Sequence, residues 1–222
     1  MMISVEKPKP IPMQWQSATW EDYENIRDDV SLERVQLFFY DQQLWVENMG
    51  WEGIVHSEVR ELMALIIGTW LMQHPELKSK ILGSCLMEKP GLQAAAPDIA
   101  LYLGENLPQY QPGASRSIDL NQYQVPNLVV EISDTTLDSD LDQKKHLYAE
   151  LGIPEYWVID AQGGQVFIFV LRERKYLKVE DSPTLTGFTS TLLSQTIAQL
   201  KIGTNTSVAA WFLHQFQRGE SQ

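Results

Sequence analysis

The amino-acid sequence predicts an α/β protein with a mixed β-sheet flanked by helices, and three observations support that fold class. Strand-like and helix-like segments alternate along the chain, as in proteins that pack helices on a sheet. The 222 residues suit one large domain, and 44% of them are hydrophobic, enough for a substantial core. No internal repeat or linker is visible, so we expect an N-terminal arm over residues 1–18 and a single domain over residues 19–222.

The first half of the chain predicts two helices and a hairpin. Thr19 is followed by acidic residues and is the expected N-cap of the first helix. Two β-rich segments, residues 32–40 and 43–47, lie close enough together to form a hairpin. Residues 54–72 carry apolar side chains at helical spacing and predict a long helix.

The second half predicts most of the sheet. Strands are expected over residues 80–87, 98–103, 127–133, 156–160, 165–171 and 172–179, with a long loop over 104–124. Helices are expected over residues 137–151 and 206–217. Gly152 follows the first of these and should end it in the left-handed conformation that glycine adopts at low cost.

Composition and charge exclude several classes of protein. Cys85 is the single cysteine, which rules out an intramolecular disulfide and a Cys-rich zinc site. The longest apolar run, residues 64–72, is too short to cross a bilayer, so we expect a cytoplasmic protein without a membrane partner. The formal net charge of −12 argues against a protein that coats nucleic acid with a basic surface. It does not argue against a nuclease, because a metal site needs carboxylates.

Two carboxylates occupy unusual places in the predicted strands. Asp98 opens a strand directly after Pro97, and Glu131 lies inside an apolar strand, where an ionised carboxylate is costly unless a cation or a donor meets it. Together they could hold Mg²⁺, a cation that prefers oxygen ligands and lowers the pKa of a bound water. The simpler alternatives are a strand-start cap for Asp98 and an ion pair with a buried lysine or arginine for Glu131.

A lysine lies on the apolar face of the helix that follows Glu131. The apolar residues of this face are Leu137, Leu141, Tyr148 and Leu151. Lys144 falls within the stripe, whereas Lys145 points about 100° away from it. We therefore expect Lys144 to reach inward toward Glu131 and Lys145 to be solvated. The alternative is that Lys144 extends to solvent along its own apolar stem.

Other charged residues in the same part of the chain have simpler interpretations. Asp138, Asp140 and Asp142 alternate like a calcium loop, but glycine and glutamate are missing from the positions that such a loop requires. We interpret them as acids in the first turns of a helix, where the helix dipole favours them. A modest basic cluster could contact a phosphate backbone, although a solvated hairpin is the default; it comprises Arg172, Arg174, Lys175 and Lys178.

Four segments resemble the Uma-two family of putative restriction endonucleases, in the PD-(D/E)XK nuclease superfamily. They are Pro97-Asp98 and residues 128–133 (LVVEIS), 142–148 (DQKKHLY) and 152–160 (GIPEYWVID). The resemblance covers most of the chain from Trp20 onward and is densest over residues 128–160. It implies a PD-(D/E)XK, restriction-endonuclease-like mixed sheet flanked by helices, with DNA as substrate and Mg²⁺ or Mn²⁺ as cofactor. A homodimer is also implied, because such nucleases often pair to cut two strands.

The resemblance also implies a set of site residues. Asp98 and Glu131 would be the metal ligands. The usual lysine of the superfamily would stand at position 133, which is serine here, but family members often carry it on the following helix, at the position of Lys144. His56 matches a position where the family often has a histidine near the site, which makes it the fourth catalytic candidate.

Two further acids and three classes of function stay open. Glu52 and Glu58 are candidates for an acid at the first helix of the site. The leading function is a metal-dependent phosphodiesterase acting on DNA. The first alternative is a catalytically silent relative that binds a protein or nucleic-acid partner, which the acidic composition and Ser133 favour. The second is a structural protein in which the two carboxylates and Lys144 form a buried ion network.

Overall fold

Two six-stranded β-sheets organise the fold of the computed structural model, which describes residues 14–29, 35–48, 53–113 and 116–219. The strands are β1 Gln16–Ser17, β2 Val35–Tyr40, β3 Gln43–Asn48, β4 Ser79–Gly83, β5 Met87–Lys89, β6 Gln93–Ala95, β7 Ile99–Leu103, β8 Ile118–Asp119, β9 Leu128–Ser133, β10 Glu155–Asp160, β11 Gln165–Arg172 and β12 Lys175–Val179. The helices are α1 Trp20–Arg27, α2 Ile54–Gln73, α3 Leu137–Leu141, α4 Gln143–Leu151, α5 Ser190–Gln199 and α6 Asn205–Gly219. None of these helices is long and apolar enough to span a bilayer.

The larger sheet has the order β12-β11-β10-β9-β7-β4 and is covered on both faces. Only β9 and β10 in it run parallel. One face packs on α2, α5 and α6 through a core that includes Leu62, Trp157 and Phe188. The opposite face packs on α4 and on β2 and β3 of the smaller sheet through Phe38 and Tyr148. Because both faces are covered, every residue of β9 is buried, which explains its nearly continuous apolar sequence.

The smaller sheet has the order β1-β3-β2-β6-β5-β8, and α1 packs on its outer face. The predicted hairpin is present as β2 and β3, and Thr19 caps α1 as expected. Of the predicted arm, residues 1–13 lie outside the described residues, whereas residues 16–17 form β1. Trp15 packs on Trp45, and its indole Nε1 donates to Ser139 Oγ at 2.9 Å.

The register of β7 against β9 sets the two predicted carboxylates opposite each other. Ile99 pairs with Val130 and Ala100 with Val129 in this antiparallel pair. One residue further, Asp98 falls opposite Glu131, and residues directly opposite in such a pair project from the same face. Since Ala100 and Val129 belong to the core on the α4 side, both carboxylates point into the layer between the large sheet and α4.

Two predicted elements are each divided in the structure. The strand expected over residues 80–87 becomes β4 and β5, which lie in different sheets. Ser84 separates them: it has a φ of 50°, and its N–H is directed at the carbonyls of Pro97 and Asp98, at 3.1 and 3.3 Å. This turn ends the pairing of β4 with β7 and leads the chain into the smaller sheet.

The helix expected over residues 137–151 becomes α3 and α4, with Asp142 between them at φ −123° and ψ −87°. Tyr156 Oη donates to the Asp140 carbonyl at 2.9 Å, the same carbonyl that a continuous helix would pair with the N–H of Lys144. A tertiary contact thus accounts for the interruption. Helix α4 ends as predicted, with Gly152 in the left-handed conformation at φ 79°.

The long segment between β7 and β9 is closed at its base by side chains. Asn127 Oδ1 accepts a hydrogen bond from the Leu103 N–H at 2.7 Å, and Gln124 Nε2 donates to the Leu103 carbonyl at the same distance. Within this segment, predicted as loop throughout, β8 adds a short parallel strand beside β5.

Candidate active site

Asp98 is a buried carboxylate held by three different elements. Its Oδ2 accepts a hydrogen bond from the Ile132 backbone N–H at 2.8 Å and lies 3.2 Å from His56 Nε2 in the first turn of α2. Its Oδ1 has a longer contact, 3.4 Å, with Gln36 Nε2. Burial by itself would raise the pKa of Asp98, but the hydrogen bond and charge of His56 and the Ile132 N–H outweigh it, so the pKa lies below its usual range. Asp98 is therefore ionised.

Glu131 faces a different environment on the neighbouring strand. Tyr148 Oη donates to Glu131 Oε1 at 2.5 Å, while Oε2 lies 3.6 Å from Lys144 Nζ. Burial raises the pKa of Glu131 well above its usual range; Lys144 opposes that shift, and the nearby charges of Asp98 and Asp140 add to it. A further cation at this position would favour the ionised form of Glu131.

Lys144 points inward, as the helical stripe predicted. Its Nζ lies 2.9 Å from Asp140 Oδ1 and 3.3 Å from Glu47 Oε2, in addition to its approach to Glu131. It also lies 4.1 Å from the centroid of the Phe38 ring, within the range of a cation–π contact. Burial would lower the pKa of Lys144, but the three carboxylates raise it well above its usual range, so the side chain stays an ammonium.

Lys145 departs from its prediction. It is half-buried rather than solvated, and its Nζ lies 5.1 Å from the centroid of the Phe169 ring. The two adjacent lysines nevertheless have different surroundings: Lys144 meets carboxylates, and Lys145 meets an aromatic ring.

Asp140 is a site residue that the sequence interpretation missed. It lies in the first turn of α3, as predicted, but its side chain is buried, and its Oδ2 accepts hydrogen bonds from Ser133 Oγ at 2.5 Å and Thr136 Oγ1 at 2.6 Å. Ser133 stands where the superfamily's usual lysine was expected, and here it supports the acid that holds Lys144. The spacing of four residues between Asp140 and Lys144 was the available signal, since such residues meet on one helix face.

Glu47 was missed for a different reason, and Glu58 does not contact the two predicted carboxylates. Glu47 lies on β3 and meets Lys144 from 97 residues away in the sequence, a pairing with no local signal. Glu52 lies outside the described residues. Glu58 is half-buried and, within the part of the chain that the structure describes, makes no hydrogen bond or ion pair with Asp98 or Glu131.

The donor set fits a hard cation that brings its own water. Asp98 and Glu131 each have one oxygen held by short hydrogen bonds and one with a longer contact, of 3.4 Å to Gln36 and 3.6 Å to Lys144. The site contains more carboxylates than cationic side chains, and an added cation would offset that excess. No group of three or more His, Cys, Asp or Glu side chains in the described ranges is arranged to hold a metal. Water and phosphate oxygens would therefore complete the coordination, as Mg²⁺ sites often require.

The basic cluster does not line this site. Glu131 is level with Val158 and Phe167 across β10 and β11, whereas Arg172 pairs with Lys175 at the far end of β11. Arg172 lies five steps along the strand from Phe167, roughly 17 Å at the usual rise. Arg174 also forms an ion pair with Glu150 at 2.6 Å. The interpretation as a solvated hairpin fits these residues better than a phosphate contact at the carboxylates.

A mixed sheet flanked by helices, with a buried lysine, one carboxylate directly before β7 and another within β9, defines a protein of the restriction-endonuclease-like fold class. The chain belongs to the family described as "Uma2: Putative restriction endonuclease", whose model matches residues 20–203. It is also similar to the solved structure of a "putative nuclease belonging to DUF820" from Anabaena variabilis ATCC 29413. The two share 12% identity, with a TM-score of 0.54 over 87% of this chain and 98% of that chain. No curated protein matches the sequence. The predicted family and fold class are confirmed.

Proposed function

We propose that this protein is a Mg²⁺- or Mn²⁺-dependent endonuclease that hydrolyses DNA phosphodiester bonds. The observation that carries the proposal is the convergence of Asp98, Glu131 and Lys144 in one layer of the fold. Asp98 falls opposite Glu131 in the strand register, and Lys144 Nζ lies 3.6 Å from Glu131. Membership of a family described as restriction endonucleases supports nuclease chemistry on this arrangement.

Each residue has a distinct proposed role. Asp98 and Glu131 would hold the cation, which supplies Lewis acidity and a more acidic bound water when it is present. Lys144, kept as an ammonium by its carboxylate neighbours, would stabilise the negative charge that develops on the phosphate in the transition state. His56 would keep Asp98 oriented, since it contacts the same oxygen that accepts from the Ile132 N–H.

A structural ion network is the second candidate function. The specific observation in its favour is that three carboxylates already surround the Lys144 ammonium. Under this alternative the charges specify the packing of α4 on the sheet and bind no cation. Metal binding therefore separates the two candidates.

The test is calorimetry with Mn²⁺, combined with cleavage of plasmid and single-stranded DNA in Mg²⁺ or Mn²⁺. We expect weak binding of one cation by the parent protein, lost in Asp98→Asn and in Glu131→Gln. Asp138→Asn is the matched control, because Asp138 is an exposed acid on α3 that does not touch Lys144. If Asp98→Asn and Glu131→Gln both bind Mn²⁺ like the parent, the metal-site assignment is wrong and the ion network is favoured.

A further inference from the structure

The three carboxylates around Lys144 differ sharply in their access to solvent. The side chains of Asp140 and Glu131 are 1% and 2% exposed, and Lys144 itself is 1% exposed. The Glu47 side chain is 20% exposed. Of these three partners, Glu47 is thus the one that solvent reaches.

The three carboxylates also differ in how firmly they are held. Asp140 accepts from Ser133 and Thr136 in addition to its contact with Lys144, and Glu131 accepts from Tyr148. Glu47, in contrast, accepts from Lys144 at 3.3 Å and from no other residue in the described ranges. Displacing Glu47 therefore breaks one partly exposed ion pair, whereas displacing either of the others would also leave buried hydroxyl donors unpaired.

We propose that the Glu47 carboxylate occupies a phosphate subsite and that a phosphate oxygen of the substrate replaces it on the Lys144 ammonium. This inference rests on the proposed function and adds to it the place where the phosphate enters. A carboxylate and a phosphate are both oxyanions and accept the same N–H donors. Because Lys144 is buried, an anion arriving from solvent reaches its ammonium only where a partner gives way, and Glu47 is the exposed partner.

The ammonium has the support needed to keep its place when Glu47 leaves. Asp140 holds it at 2.9 Å and the Phe38 ring faces it at 4.1 Å, and neither contact involves Glu47. The backbone of Glu47 is paired with Gln36 across the hairpin, so rotation of the side chain alone is enough to free the subsite.

The first experiment is a titration of the metal-free protein with inorganic phosphate in EDTA. Binding is monitored by NMR of the lysine side chains, with the Lys144 signal assigned. We expect Glu47→Gln to bind phosphate about fivefold more tightly than the parent, as removal of one competing, partly exposed ion pair predicts. Glu47→Ala should also bind phosphate more tightly than the parent, and it controls for a direct contact of the introduced glutamine with phosphate. The proposal is overturned if Glu47→Gln binds no more tightly than Asp138→Asn, which removes the same charge nearby, or if phosphate leaves the Lys144 signal unmoved.

The second experiment is Mn²⁺ calorimetry on the same variants. We expect Glu47→Gln to bind Mn²⁺ as the parent does, because Glu47 competes for Lys144 and does not hold the cation. A loss of Mn²⁺ affinity in Glu47→Gln would make Glu47 a metal ligand and overturn the subsite. Failure of the proposed function would give a different result, namely unchanged Mn²⁺ binding in Asp98→Asn. The phosphate titration needs no metal, so it tests the subsite independently of the metal site.

Discussion

Each face of the large sheet buries one glutamate, and the two glutamates lie on neighbouring parallel strands. They differ in the groups that bind their carboxylate oxygens. On the face that packs on α2, α5 and α6, Glu155 of β10 is fully buried. Its Oε1 accepts from Trp157 Nε1 at 2.5 Å and its Oε2 from the Thr184 N–H at 2.9 Å. On the other face, Glu131 of β9 has one oxygen bound to Tyr148 and the other 3.6 Å from a lysine. Both oxygens of Glu155 are satisfied by neutral donors, so its role is structural. Glu131 retains the capacity to bind another ligand.

The largest expected effect tests that difference directly. Glu131→Gln should reduce cleavage to background, because an amide carries no negative charge to hold the cation. Its carbonyl oxygen can still accept from Tyr148 Oη, and its N–H₂ would lie no closer than the 3.6 Å contact to Lys144, so the fold should be kept. Glu155→Gln should keep cleavage per folded molecule but lose about 1–3 kcal/mol of stability, since an amide N–H₂ would face a donor. Plasmid cleavage and chemical denaturation of both variants check this. A Glu155→Gln variant as inactive as Glu131→Gln would abolish the contrast between the faces.

The two adjacent lysines sharpen the contrast within one helix. Lys144→Ala should abolish cleavage and cost about 3–5 kcal/mol, because it leaves buried carboxylates without their cation. Lys145→Ala should retain most of the cleavage and cost less than about 1 kcal/mol, the scale of its contact with Phe169. Equal effects on activity at the two positions, with cleavage established for the parent, would remove Lys144 from the catalytic set.

A smaller effect is expected from the phenol that orients Glu131. Tyr148→Phe removes the donor to Glu131 Oε1 and should weaken Mn²⁺ binding about tenfold, as loss of a residue that positions a metal ligand typically does. Tyr156→Phe is the matched control: its ring packs 5.0 Å from that of Tyr148, but its hydroxyl bonds the Asp140 carbonyl. Calorimetry should show nearly parental affinity for Tyr156→Phe, and comparable losses in the two variants would argue against a specific role for Tyr148.

The smallest effect is expected at the basic hairpin. The double variant Arg172→Ala and Lys175→Ala should change the affinity for a short DNA duplex by less than about twofold, because both residues lie at the far end of β11 and β12. Fluorescence anisotropy at fixed salt measures this. A large loss of affinity would mean that bound DNA extends along the sheet to that end.

Local periodicity was sufficient to predict the orientation of Lys144, which the helical stripe correctly turned inward. It placed Asp98 and Glu131 in strands, but their position opposite each other on one face follows from the register of β7 against β9. Asp140 could also have been predicted from local periodicity, since it lies four residues before Lys144, but its acidic neighbours favoured a helix-dipole interpretation. Glu47 could not, because its contact with Lys144 depends on how the hairpin packs over α4.

Two of the features that the sequence did not predict depend on tertiary contacts, and a third, helix α5, depends on hydrogen bonds within the helix. The break between α3 and α4 follows from a tyrosine on β10, and the turn at Ser84 follows from hydrogen bonds to residues 97 and 98. Helix α5 is rich in serine and threonine, which lower helix propensity. Its Ser194 and Thr196 hydroxyls instead donate to carbonyls four residues earlier, so the helix satisfies them internally.

The closed base of the segment between β7 and β9 separates the length of that segment from the placement of the two carboxylates. Gln124 and Asn127, at the C-terminal end of the segment, both bond to Leu103 at its N-terminal end, so the pairing that sets Asp98 opposite Glu131 does not depend on how long the intervening chain is. A single-residue insertion inside either strand would turn one carboxylate to the wrong face. The same insertion between β7 and β8 would leave both in place. A change in the length of this segment would thus alter the surface that it forms without moving the two carboxylates.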